Sequence, residues 1–185
     1  MRGACGAEVA GVDLAQPLAD SVIGEIRAAF VEHHVLFFRA QQLDPAQQVA
    51  FGARFGELED YPFVAPLPDH PKVIPVIKER EESANFGGGW HTDLIYRPVP
   101  PLGTMLFAVE VPVSGGDTLF ADGIKAWEAL SSGMQAMLGK LSVEYNVRHI
   151  TQDRVERTGQ AGQSSRSMPG QADSDLLNTS PVHPL

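Results

Sequence analysis

Only one cysteine, Cys5, occurs in 185 residues, so no disulfide can form within the chain. No apolar run approaches the length needed to cross a membrane, and the first residues carry neither the basic segment nor the continuous apolar stretch of a signal peptide. A cytoplasmic protein with no membrane partner is expected. Positive charge is also scarce: 14 Lys and Arg stand against 23 Asp and Glu, giving a net charge of −9 and a pI near 5.0. Nucleic-acid binding rests on cations that neutralise phosphates, and no basic cluster is present, so no nucleic-acid partner is expected. Phe, Trp and Tyr are missing altogether from residues 151–185, which are filled with Gln, Ser, Gly, Asp and Arg. Such a composition buries too little apolar surface to offset ordering entropy, which predicts a flexible insert or tail there.

The remaining chain, residues 1–150, has ordinary globular composition, with 43% hydrophobic and 20% charged residues overall, and is long enough for one domain with a real core. Short strands are predicted around Ala7 to Val12, Val35 to Phe38, Lys72 to Lys78, Thr104 to Glu110, Thr118 to Phe120 and Leu141 to Val147. The run Val35 to Phe38 is continuously apolar, as in a strand buried on both faces. Helices are predicted between them. Asp20 or Ser21 can cap the first, whose Val22, Ile23, Ile26, Ala29 and Phe30 recur on one face. His33 and His34 at its end are read as structural. Asp44-Pro45-Ala46-Gln47 has the form of a capping box with proline at the first helical position, and Gly56 the form of a terminating glycine. Asp122, and then Ser131 or Ser132, can cap two more helices. Glu59 to Pro71 is too rich in proline for regular structure and is read as a surface loop near the site.

The chemistry is concentrated in Asn85-Phe86-Gly87-Gly88-Gly89-Trp90-His91-Thr92-Asp93. On an extended strand, residues two apart share a face, so His91 and Asp93 would present an imidazole and a carboxylate side by side. Two His and one carboxylate make the facial triad of non-haem Fe(II) sites, which leaves positions open for cosubstrate and oxygen. The glycines before the pair allow a sharp bend or a close approach. One His-x-Asp triplet is a weak signal alone, and two solvated polar groups at a strand end remain the alternative.

Several ordered motifs together are more specific. Trp90-His91-Thr92-Asp93, then Pro100-Pro101, then Gly115-Gly116-Asp117-Thr118-Leu119-Phe120 resemble the taurine dioxygenase (TauD/TfdA-like) family of Fe(II)- and 2-oxoglutarate-dependent oxygenases. Gly6 to Leu14, Val35 to Arg39 and Phe55 to Leu58 agree with the opening of that family. The resemblance implies a mainly β fold with inserted helices, a double-stranded β-helix of the jelly-roll or cupin type. It implies Fe(II), 2-oxoglutarate as cosubstrate and O2, with succinate and CO2 released as a small anionic substrate such as a sulfonate or aryloxy acid is hydroxylated. By motif position His91 and Asp93 match iron ligands and catalytic residues, and Thr118 matches a threonine that binds 2-oxoglutarate. Tyr61, Asn85 and Tyr96 fall near substrate-contacting positions, but Tyr61 and Gly87 depart from the taurine-cleaving pattern, which puts taurine itself in doubt. Trp90 is read as packing.

The second iron histidine and the arginine for the far carboxylate of 2-oxoglutarate lie further downstream in the family. The chain is therefore expected to be a fragment with an incomplete barrel. Neither His149, continuing a strand, nor His183, in the tail, is expected to complete the triad. A metal-dependent hydrolase and a non-catalytic cupin-like binding domain are the alternatives, and a homo-oligomer is left open.

Overall fold

The computed structural model describes residues 5–61, 63–79, 81, 88–145 and 182–184. The chain divides into two compact units, each assembled from two stretches: Met1–Glu57 with Met105–Leu138, and Leu58–Thr104 with Gly139–Leu185.

In the first unit, strand β1 (Ala7–Val9) leads into helix α1 (Asp20–His33), which returns the chain to strand β2 (Leu36–Phe38). The two strands pair in parallel with Ala7 opposite Leu36 and Val9 opposite Phe38, a small β-α-β unit. Ile23 and Ile26 of α1 are buried with Leu14, and Val22, Ala29 and Phe30 flank them half-buried, as the helical spacing requires. Neither Asp20 nor Ser21 caps α1. Ala19 holds the cap position without a side-chain bond, and Asp20 sits in the first turn, where its charge favours the positive helix end and pairs with Arg54. The helix stops because His34 turns left-handed (φ 65°) while its N–H donates to the Phe30 carbonyl. His33 and His34 thus end a helix.

Helix α2 (Pro45–Gly52) opens on the expected capping box: Gln47 N–H donates to Asp44 Oδ1 at 2.7 Å, and Asp44 N–H donates to Gln47 Oε1 at 2.9 Å. It ends at Gly52, one turn before Gly56. Arg27 fastens the region beyond it by donating to the Phe55 carbonyl at 2.7 Å while its guanidinium lies 5.6 Å from the Phe55 ring centroid. Helix α3 (Gly123–Glu128) is capped by Asp122, which accepts from Lys125 N–H at 3.0 Å, and helix α4 (Ser132–Leu138) by Ser131. Gly115 and Gly116 both take positive φ (81° and 73°), which glycine adopts without strain, while the chain bends at Val113 and Ser114 just before them.

In the second unit, strand β3 (Ser142–Glu144) pairs antiparallel with strand β4 (Val182–Pro184). Where the sequence implies one flexible segment from 151 onward, the described part of it is this strand. Phe63 and Tyr96 form the buried centre of the unit, with Tyr61, Leu94 and Tyr145 packed against them.

The expected jelly roll is met only in part. Among the described residues the sheets are two-stranded, with strands of three residues, and neither closes. No strand forms at Lys72 to Lys78, at Thr104 to Glu110, at Thr118 to Phe120, or around His91 and Asp93. A strand persists only where a neighbouring backbone accepts its ladder, and among the described residues none pairs with these stretches. Pro75 removes a donor from the first of them, whose approach is instead folded into a turn by Leu67 and Val73 (2.9 Å). The second and third have no ladder among the described residues, and Leu106, Val109 and Leu119 are strongly exposed. Val35 to Phe38 is half-buried rather than covered on both faces.

Two outcomes follow from the caps. Asp44→Ala is expected to lower unfolding stability by about 1 kcal/mol, the usual cost of a lost N-cap, read by urea titration. Asp122 has its carboxyl held below the usual range, first by the Lys125 backbone N–H and then by the Lys125 ammonium and His34, against its burial. Its stabilising effect is therefore full above the unfolded carboxylate value of 3.8 and is lost as pH falls through the lower folded value. The stability difference between the protein and Asp122→Asn should accordingly shrink on acidification, and a gap that widened would contradict the assignment.

Candidate metal centre

His91 and Asp93 do meet, although by a turn and not by strand alternation. Gly88 to Thr92 is irregular, and Asp93 opens a turn in which Leu94 is left-handed (φ 52°) and Arg97 N–H donates to the Leu94 carbonyl at 3.0 Å. This brings His91 Nε2 to 3.1 Å from Asp93 Oδ1, with the side chains 53% and 48% exposed, so both stay open to an incoming ligand. Two more contacts fix the pair. His91 Nδ1 lies 2.7 Å from the Gly89 carbonyl oxygen, and Thr104 Oγ1 donates to Asp93 Oδ2 at 2.6 Å.

The proton count decides what this arrangement can bind. A carbonyl oxygen only accepts, so Nδ1 carries the hydrogen, and a neutral imidazole then turns the lone pair of Nε2 toward the lone pairs of Asp93 Oδ1. Two acceptors 3.1 Å apart need a cation, which is either a second ring proton or a metal ion. Donor atoms about 2.1 Å from a six-coordinate metal stand about 3.0 Å apart when adjacent, close to the spacing seen here. The N–H to carbonyl bond on the far ring nitrogen is the orienting contact that metal-binding histidines generally make. Imidazole nitrogen with carboxylate oxygen suits a divalent transition metal. The residues present therefore fit an iron-type ion. Among the described residues no third His, Cys, Asp or Glu joins them.

The other predicted residues divide. Tyr96, three residues beyond Asp93, is buried at 8% exposure, its ring 6.3 Å from Phe63 and Phe63 5.4 Å from Tyr61, all edge to face. Burial raises the Tyr96 phenol above its usual range, partly offset by the nearby Arg97 charge. The Tyr96 hydroxyl and Arg97 Nε are both buried with no well-formed hydrogen bond among the described residues. Tyr61 is half-buried in the same aromatic group. Trp90 is 73% exposed, against the expectation that it packs. Thr118 belongs to the first unit and is exposed, two residues beyond Gly116. Asn85 and His149 lie outside the described residues. Thr104 was not anticipated. Its only signal in the sequence is a hydroxyl at the head of an apolar run.

The family described as taurine catabolism dioxygenase TauD, TfdA family, matches residues 1–175. The chain belongs to this family. An alpha-ketoglutarate-dependent sulfate ester dioxygenase of Pseudomonas putida is 32% identical over 158 residues, 83% of this chain and 52% of that protein. An alpha-ketoglutarate-dependent 2,4-dichlorophenoxyacetate dioxygenase of Cupriavidus pinatubonensis is 35% identical over 156 residues, 75% of this chain and 54% of its own. A crystal structure of a taurine dioxygenase from Burkholderia xenovorans superimposes with a TM-score of 0.63 at 34% identity, covering 77% of this chain and 50% of that one. The likeness shows a shared fold over that part. The chain spans about half the length of these relatives. No described helix of this family member is long and apolar enough to cross a membrane.

Thr104→Val removes the hydroxyl that orients Asp93 and is expected to weaken Mn(II) binding about tenfold in the intact protein, the lower end for losing an outer partner of a metal ligand. Calorimetric titration reads it, and unchanged affinity would detach Thr104 from the centre.

Proposed function

We propose that this chain supplies the His-x-Asp half of the iron site of a 2-oxoglutarate-dependent dioxygenase, in an intact protein built on a double-stranded β-helix. The observation that carries the reading is the His91-Asp93 pair itself, whose facing lone pairs call for a cation, in a member of the TauD/TfdA family. Names of relatives at about a third identity span sulfate esters, sulfonates and aryloxy acids, which supports a small anionic organic substrate as the shared chemistry.

His91 Nε2 and Asp93 Oδ1 would hold Fe(II), and the ion with 2-oxoglutarate and O2 would supply the oxidising power, 2-oxoglutarate leaving as succinate and CO2 with one oxygen atom of O2 and the other passing to the substrate. The residues of this chain hold and orient. The Gly89 carbonyl keeps the His91 hydrogen on Nδ1, so that Nε2 faces the ion, and Thr104 keeps Asp93 from rotating away. Thr118 offers a hydroxyl to a carboxylate of 2-oxoglutarate, and the Tyr61, Phe63 and Tyr96 group forms an apolar wall that excludes water from the substrate side. Asn85 is assigned to the same substrate side by its place in the motif.

Anaerobic addition of Fe(II) and 2-oxoglutarate to the intact protein is expected to produce the visible charge-transfer band of a chelated 2-oxo acid. Asp93→Ala should abolish both the band and succinate formation while keeping the fold. Thr118→Val should weaken 2-oxoglutarate by about 0.5–1.5 kcal/mol, as for one neutral hydrogen bond. A full-activity Asp93→Ala protein would sink the metal assignment.

A further inference from the structure

The side chain next to Tyr96 makes contacts that neither the metal centre nor the family motifs use. Arg97 Nη1 pairs with Glu59 Oε2, and its Nη2 donates to the Asp60 carbonyl at 2.9 Å. Asp60 is in turn held from the far end of the same loop, where Lys72 Nζ donates to its Oδ1 at 2.8 Å. One guanidinium thus grips two consecutive residues of the proline-rich loop, and Tyr61 is the next residue along. Tyr96 reaches the loop at a second point through Phe63, whose ring also meets Tyr61. Turn 93–97 therefore carries a metal-ligand candidate at one end and a two-point attachment to the loop at the other.

We propose that Arg97 is a positioning residue: by forking onto Glu59 and Asp60 it fixes Tyr61 and loop 58–73 against the turn that bears Asp93, and so sets the substrate wall. The assignment of that wall to a substrate rests on the oxygenase reading above, whereas the fork itself does not. Arg97 Nε and the adjacent Tyr96 hydroxyl are both buried without a well-formed hydrogen bond among the described residues, while the Arg97 side chain offsets part of the rise that burial gives the Tyr96 phenol, so the guanidinium ties the aromatic group and the loop to one side chain. Glu59 is 39% exposed, so solvent screens the ion pair and leaves the geometry of the fork as the main contribution. Lysine carries the same charge on a flexible stem and lacks the planar fork that holds two acceptors at a set spacing.

The test uses the intact protein, with Arg97→Gln, Arg97→Lys and Glu59→Gln beside wild type. Amide hydrogen exchange across residues 58–73 is expected to quicken about tenfold in Arg97→Gln and to move the same way in Glu59→Gln, as local opening predicts, with Arg97→Lys recovering only part. Mn(II) affinity should stay within about twofold of wild type, since neither metal-ligand candidate is touched. With 2,4-dichlorophenoxyacetate as probe, KM should rise about tenfold while kcat holds, the mark of lost positioning in binding. Unchanged exchange across 58–73 in both Arg97→Gln and Glu59→Gln overturns the proposal. So does uniform acceleration over the whole chain, which makes Arg97 a general stabiliser, or a loss confined to Mn(II) affinity, which moves it into the metal centre. If wild type neither binds Mn(II) nor turns over the probe, the oxygenase reading fails and exchange alone decides whether the fork holds the loop.

Discussion

The hydrogen bond from His91 Nδ1 to the Gly89 carbonyl constrains everything else at the candidate centre. With Nδ1 committed to that bond, Nε2 meets Asp93 Oδ1 across 3.1 Å either as the donor of a second ring proton or as a lone pair that a metal ion can share. Apart from a cation, that arrangement is repulsive, and the surrounding chain is shaped to maintain it. Glycines precede the ring, Leu94 accepts a left-handed backbone after the carboxylate, and Thr104 holds the outer carboxylate oxygen. A left-handed non-glycine residue costs of order 1 kcal/mol or more, and such strain is retained mainly where neighbours over-determine it. The turn 93–97 is over-determined here by its own backbone bond, by the aromatic packing of Tyr96 and by the fork of Arg97.

Local chemistry was legible mainly where a sequence signal and its physical partner lie within a few residues, although the α1 cap fell on Ala19 and α2 ended before Gly56. The Asp44 capping box and the Asp122 and Ser131 caps were legible in this way, because each bond is closed within four residues. The apolar face of α1 was equally plain from Ile23 and Ile26. Strands were legible only in part: Ala7–Val9, Leu36–Phe38 and Ser142–Glu144 form inside stretches of strand pattern, but β-structure also depends on a partner that periodicity does not name. Thr104 to Glu110 has strand composition and no ladder among the described residues, while Val182–Pro184, in a stretch of unpromising composition, pairs with β3.

At the site the residue types were readable and their supports were not. The His91-Asp93 pair follows from the motif, but the reason for their proximity is a turn, not a shared strand face. Thr104, 11 positions downstream of Asp93, and Glu59, 38 positions upstream of Arg97, reach the same short turn through folding alone. No spacing rule connects them.

The interleaving of the two units has a kinetic consequence. Each is assembled from two stretches with a stretch of the other between them, so the second unit needs residues beyond Gly139 to meet a loop synthesised some eighty positions earlier. Contacts between near neighbours, such as β1 with β2 across α1, can form on a short nascent chain. Long-range closure must wait, and its entropic cost grows with the loop that is closed. For this chain, then, the aromatic group that includes Tyr145 is a late event in synthesis, and no single cut releases either unit as one continuous piece.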